Sequence, residues 1–328
     1  MKNSKLYLIL VIITALLHSC NKKDDLSDID FRQEMRNFVI EISDYAHKTD
    51  STFIIIPQNG AQLMAVSEDN LSPVQNYISA INGQGQEDLY YGYDSDDKAT
   101  PEEVTNYLKQ FLNLGKDNGV KILVTDYCST HSNMDDSYAK NYSNGFISFA
   151  APSRGLDVIP DYPATPYNEN ADDITTLSQA KNFLYLINPS NFATKDQLIE
   201  AIAATNYDVI IMDAFFDDQT PYTTEQIESL KTKANGGKRL VIAYMSIGEA
   251  EDYRYYWNPD WDKNPPQWLE GENPLWQGNY KVRYWDQDWK KIIYGTSDSY
   301  LDKILSYGFN GVYLDIIDAF EYFEEKYN

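Results

Sequence analysis

Apolar positions alternate along the chain between two periods. Phe31, Met35, Phe38, Val39, Ile42 and Tyr45 recur at helical spacing, so residues 31 to 48 read as an amphipathic helix. Short buried runs follow at Phe53–Pro57, Tyr77–Ile81, Lys121–Tyr127, Phe146–Ala150, Phe183–Ile187, Asp208–Asp213, Arg239–Met245 and Gly311–Leu314. Helical patterns lie between most of them, at 101 to 117, 194 to 205, 223 to 234 and 287 to 307. Continuous apolar strands separated by helices are what a parallel sheet covered on both faces requires. Eight such runs predict an α/β fold, a (β/α)8 TIM barrel, with a doubly wound open sheet as the alternative. Residues 152 to 176, with Pro152, Pro160, Pro163 and Pro166 among Asp and Asn, look like a long surface connection. One domain over residues 31–328 is expected.

The start of the chain is different. Residues 1–19 carry Lys2 and Lys5 and then an apolar stretch, Leu6 to Leu17, too short to span a bilayer comfortably and suited to a secretory signal. It ends in Leu17-His18-Ser19-Cys20, which resembles a bacterial lipobox and makes Cys20 a candidate lipidated first residue. An ordinary signal peptide with a chance cysteine is the alternative. Residues 20–30, opening Asn-Lys-Lys-Asp-Asp after Cys20, form a polar tether and resemble the charged export tags of Bacteroidetes surface lipoproteins. The expected location is the bacterial outer membrane, attached through the lipid only and facing the periplasm or the cell surface.

Charge narrows the chemistry. Lys and Arg total 27 against 50 Asp and Glu, a net charge of -23, so nucleic acid is not an expected partner. Three His and two Cys cannot build a Cys/His zinc cluster or a disulfide scaffold, and no metal or cofactor is expected. Carboxylates remain. Asp315, Asp213 and Asp126 end strands, and others run into Gln58-Asn59, into Ser246 with Glu249 and Glu251, or into Asn82 with Glu87. In a barrel such positions meet at one mouth. A ring of acids without histidine points to glycoside hydrolysis, in which one carboxyl protonates the leaving oxygen and a second attacks or activates water. For any single acid, a helix cap or a solvated charge is the plainer explanation. The aromatic crowd from Tyr253 to Trp289, including Trp268, Trp276 and Trp285, suits stacking on sugar rings or a small core of its own. Arg254 is placed to pair with Glu251 or Asp286, and Cys128 with His131 reads as an incidental neighbour pair.

Three strings carry a family resemblance: Tyr244-Met245-Ser246-Ile247-Gly248-Glu249-Ala250-Glu251, Tyr280-Lys281-Val282-Arg283-Tyr284-Trp285-Asp286, and Gly308-Phe309-Asn310-Gly311-Val312-Tyr313-Leu314-Asp315-Ile316-Ile317-Asp318. They resemble glycoside hydrolase family 114, the endo-α-1,4-polygalactosaminidase-like barrels. Phe53-Ile54-Ile55-Ile56-Pro57-Gln58-Asn59-Gly60 and Gly85-Gln86-Glu87-Asp88-Leu89-Tyr90-Tyr91 resemble segments that in the family follow the Leu-Asp strand. Here they precede it, which implies a circular permutation: the chain starts at the helix after the family's fourth strand. The resemblance places the catalytic pair on Asp315, as nucleophile, and Glu87, as general acid/base, with Asp88 a competitor for the second role. It gives Asp213, Asn59, Asp126, Tyr244, Glu249, Asp318 and Trp285 to substrate binding.

The function expected is cleavage of an α-linked, galactosamine-containing polysaccharide by a two-carboxylate retaining mechanism. An acidic mouth would attract a cationic amino-sugar chain over a range of about 10 Å. The alternative is a non-catalytic glycan-binding surface lipoprotein on a barrel scaffold, motivated by the relocated termini beside Asp315.

Overall fold

The computed structural model describes residues 26–217 and 219–327. The expected signal sequence, Cys20 and the first part of the tether lie outside the described residues. Leu26, in the last part of that tether, is buried and joins the core, and Asp30 caps the first helix by accepting from the Gln33 N–H at 2.9 Å. Folded structure therefore begins ahead of residue 31. That helix, α1 (Phe31–Thr49), buries Phe31, Met35, Phe38, Val39 and Ile42. The predicted stripe is the face that packs.

Eight strands form the parallel framework: β1 (Ile54–Pro57), β2 (Gly83–Glu87), β3 (Lys121–Tyr127), β4 (Ile147–Ala151), β5 (Leu184–Leu186), β6 (Val209–Asp213), β7 (Leu240–Ser246) and β8 (Gly311–Asp315). Five pair in the order β1-β8-β7-β6-β5 and three in the order β2-β3-β4. The two ladders meet where Gln58 bridges Gly85 in parallel and the Asn82 N–H donates to the Ile55 carbonyl at 2.9 Å. The first and last strands are thus neighbours; β2 to β4 and β5 to β8 pair in sequence order, and β4 and β5 share no ladder among the described residues. Helices cover the outside, among them α2 (Gln75–Ala80), α3 (Glu102–Asp117), α4 (His131–Ser143) and the C-terminal Ala319–Tyr327.

The second predicted strand is wrong. Tyr77 to Ile81 falls in α2 and the turn after it, and Val74, Tyr77, Ile78 and Ile81 are spaced i, i+3, i+4, i+7, one helical face. The true strand, Gly-Gln-Gly-Gln-Glu, has no apolar residue to betray it. Its composition follows from crowding inside the framework. A Cβ on Gly85 would stand 2.1 Å from the Tyr313 hydroxyl, whose ring packs 5.1 Å from that of Tyr185. Tyrosine fills the space that side chains from β2 would otherwise occupy.

The stretch after Ala151 is irregular as far as a short helical turn at Leu177–Gln179, as the prolines suggested, yet it turns Arg154 and Leu156 inward. After β7 the chain forms a small antiparallel sheet of Glu249–Glu251, Asn279–Val282 and Leu269–Glu272. Most of the aromatic crowd packs behind it. Trp257, Trp261, Trp268 and Trp289 follow one another at ring separations of 5.0–5.1 Å, and Trp268, Tyr284 and Trp289 are buried. The small-core alternative is the correct one for that group.

Candidate active site

The carboxyl ends of every strand except β4 border one cavity of ≈530 Å³. Glu87 and Asp315, 228 positions apart in sequence, both line it. Alternation along β8 sends Tyr313 and Asp315 to the same face, and Tyr244 sits opposite Tyr313 on β7. The Tyr244 hydroxyl donates to Asp315 Oδ2 at 2.6 Å, and the Ile316 N–H donates to Oδ1 at 2.8 Å. Ile316 holds φ near 60°, a left-handed conformation that a β-branched residue rarely adopts. It is kept there by close packing: the Ile247 N–H donates to the Asp315 carbonyl at 3.1 Å, and a Cβ on Gly248 would meet the Ile316 carbonyl oxygen at 2.2 Å. That approach explains the glycine in Ser-Ile-Gly-Glu.

Glu87 is held with equal completeness. Tyr127 donates its hydroxyl to Oε1, and Asn59 Nδ2 donates to Oε2 at 2.9 Å. Asn59 also accepts, through Oδ1, the Glu87 N–H at 3.0 Å and Gln86 Nε2 at 3.2 Å. It grips both ends of the glutamate from a φ of 58°, a backbone state that asparagine tolerates. Each oxygen of the two carboxyl groups thus accepts one donor, which fixes their orientation. Burial, and secondly the nearby Glu87 charge, pushes Asp315 up to about 8. Asp318, in the same wall, is pushed up to about 7 by burial and then by Glu321 and Glu87. The cavity therefore crowds carboxyl groups together, and burial favours the protonated form of Asp315 near neutral pH.

Other predicted residues sort by contact. Asn59, Tyr244, Asp213, Glu249 and Asp318 line the cavity. Two of them are already engaged. Asp213 takes both Arg254 nitrogens, at 3.0 and 2.6 Å, while Arg254 Nε reaches Glu251 at 2.7 Å, so Arg254 bridges two acids and Asp286 is not its partner. Glu249 accepts from Asn273 at 2.8 Å and pairs with Lys281 at 2.6 Å. Asp126 does not reach the cavity. It is fully buried beneath the loop after β2, accepting the Tyr90 and Tyr91 N–H groups at 2.7 and 3.2 Å and the Ser137 hydroxyl at 2.6 Å. It serves structure, as a strand-end acid often does. Trp285 is also misplaced, packing against Phe31 at 5.2 Å and Phe323 at 4.7 Å in the helical layer. Asp88 is bound by Arg154 at 2.9 Å and faces a different cavity. Cys128 lies against the Asp126 carbonyl and His131 stacks on Tyr162, so they form no catalytic pair. Of the aromatic group expected to stack on sugars, Trp276 lines the cavity; residues not anticipated are Tyr127, Tyr185 and Arg154, and a tyrosine at or near a strand's carboxyl end was the available signal for the first two. Among the described residues no group of His, Cys, Asp and Glu is arranged to hold a metal ion.

A model of glycoside-hydrolase family GH114 matches residues 164–327, half of the chain. The chain belongs to that family. A similar stretch occurs in an uncharacterized protein of Methanocaldococcus jannaschii, 48% identical over 159 residues, covering 48% of this chain and 43% of that protein. Uncharacterized proteins of Thermotoga maritima and Deinococcus radiodurans are 40% and 38% identical, each over 38% of this chain and 37% of the relative. The matched part spans less than half the length of these curated relatives. Asp315 and its donors Tyr244 and Ile316 lie within the family match, and Glu87, Asn59 and Tyr127 lie before it.

Proposed function

We propose that the protein hydrolyses the α-glycosidic bonds of an amino-sugar polysaccharide, using Asp315 and Glu87 as its two carboxylates. The observation that carries this is their convergence on one cavity, each oxygen held by a single donor and Asp315 pushed up to about 8 partly by Glu87. Asp315 attacks the anomeric carbon and Glu87 protonates the leaving oxygen; after departure of that half, Glu87 takes a proton from the water that releases the sugar. A substrate ammonium group in the acidic cavity would stabilise the ionised form of Asp315, the form that attacks. Tyr244 and the Ile316 N–H hold the nucleophile in line.

The framework we propose is a closed, circularly permuted (β/α)8 barrel. Pairing of β8 with β1 supports it, as does a family match that opens at residue 164, inside the connection from β4 to β5, and runs through β8. On this reading β5–β8 are the family's first four strands and β1–β4 its last four. Lipidation at Cys20 and attachment to the outer membrane complete the proposal; contact with the membrane is through the lipid alone and nucleic acid is not a partner.

The test is incubation with galactosamine-rich exopolysaccharide, with reducing ends counted and the first-formed anomer identified by NMR. Release of α-anomer supports the retaining mechanism. Binding without release would overturn hydrolysis and favour the glycan-binding alternative.

A further inference from the structure

A second cavity, of ≈560 Å³, adjoins the first, and the two share Asn59, Glu87 and Asp318 in their walls. Its far side is α3. Glu103, Val104, Tyr107 and Leu108, one helical face, line it, while Thr105, Phe111, Leu112 and Gly115 on α3 are buried. Tyr107 is 37% exposed, and Tyr93, from the loop after β2, is 56% exposed. The Tyr107 ring meets the buried Phe111 edge-on at 5.3 Å and keeps over a third of its surface exposed. Five acids and no lysine or arginine line the space, with Asp88 pushed up to about 6 and Glu321 also raised, both chiefly by burial. Gln86 stands in the same wall at 5% exposure, and among the described residues its Oε1 accepts no hydrogen bond. Trp276, 58% exposed, also lines the first cavity.

We propose that the second cavity is a further sugar-binding subsite, which takes the next amine-bearing units of the chain, Tyr93 and Tyr107 stacking on ring faces and the acids pairing with ammonium groups. The inference rests on the hydrolase reading above. It extends the sugar-binding track from the cavity of Asp315 and Glu87, across the shared Asn59 and Asp318, towards Tyr93 and Tyr107. Flat ring faces flanked by acids suit a cationic polyol chain better than a neutral or anionic one.

Binding can be read without turnover. Asp315→Asn protein is titrated by calorimetry with α-1,4-linked galactosamine dimer, hexamer and N-acetylated hexamer, in the otherwise unaltered background, with Tyr93→Ala/Tyr107→Ala added, or with Glu103→Gln added. The hexamer is expected to bind about tenfold more tightly than the dimer, and the double tyrosine variant to lose most of that advantage. The N-acetylated hexamer should bind about twofold to fivefold more weakly than the free-amine hexamer, and Glu103→Gln should weaken hexamer binding by a similar factor while leaving the dimer unaffected. Equal affinity for dimer and hexamer, no binding of either, or full hexamer affinity in both the tyrosine and the Glu103 variants would overturn the subsite. Failure of the hydrolase reading looks different: the hexamer binds with the stated pattern, yet the unaltered protein releases no reducing ends from it.

Discussion

Replacing Asp315 by asparagine should make the protein more stable while removing its activity. In the fold the Asp315 carboxyl is pushed up to about 8, from an ordinary 3.8 in the unfolded chain. At pH 7 the folded protein must therefore hold a proton that the unfolded chain has released. Each pH unit of that gap costs about 1.4 kcal/mol, so the roughly three units between the ordinary value and pH 7 set an upper limit of about 4 kcal/mol. Solvent in the cavity and relaxation around the carboxyl reduce this to about 1–3 kcal/mol. The sign follows from the raised value: the penalty is absent below about pH 4, grows as pH rises, and levels off above about pH 8. Asparagine cannot ionise. Its Oδ1 still accepts the Ile316 N–H, and the Tyr244 hydroxyl need only turn to accept from Nδ2. Thermal melting at pH 4, 6 and 8 checks the reasoning. The variant should match the parent at pH 4 and melt about 3–8 °C higher at pH 8. An advantage that fails to grow with pH, or a variant that melts lower at pH 8, would show that the carboxyl is not held against its own charge.

Tyr244→Phe removes the donor to Asp315 Oδ2; because that bond lowers the Asp315 pKa, its loss should move the aspartate limb of the pH–rate profile upward and slow turnover about 10- to 100-fold with the fold intact. Arg254→Met leaves Asp213 and Glu251 buried without their shared partner and should cost about 3–5 kcal/mol in denaturant unfolding, much of it recovered by adding Asp213→Asn and Glu251→Gln. Gly85→Ala drives a methyl group into the Tyr313 hydroxyl and should destabilise by about 1–3 kcal/mol in the same assay. Cys20→Ala should abolish labelling by radioactive palmitate and release the protein from membrane fractions.

Apolar runs made seven of the eight parallel strands legible, because strands buried on both faces need unbroken hydrophobic sequence. β2 was hidden for the opposite reason. Its inward space belongs to Tyr313 and its ends to Gln58 and Asn59, so the strand that presents Glu87 is glycine and glutamine. The error over Tyr77–Ile81 had a visible remedy in the helical spacing of Val74, Tyr77, Ile78 and Ile81. At the site, strand-end position identified Asp315, Asp213 and Asn59 as neighbours of one cavity, and the family resemblance added Tyr244. It could not distinguish an acid that faces solvent in the cavity from one such as Asp126, which caps backbone amides beneath a loop. That difference depends on whether the next turn folds over the carboxylate. Aromatic density misled for a similar reason: Trp285 and Trp289 satisfy a local core, and Trp276, at the tip of a short hairpin, is the tryptophan that reaches the cavity.

The most direct test of the account is bond cleavage by the parent, Asp315→Asn and Glu87→Gln on one galactosamine hexamer, with affinity for that hexamer measured alongside. The prediction is that each substitution lowers kcat by at least about a thousandfold while the hexamer still binds and the protein still melts cooperatively. Near-parental turnover in either variant would contradict the assignment of catalysis to this pair.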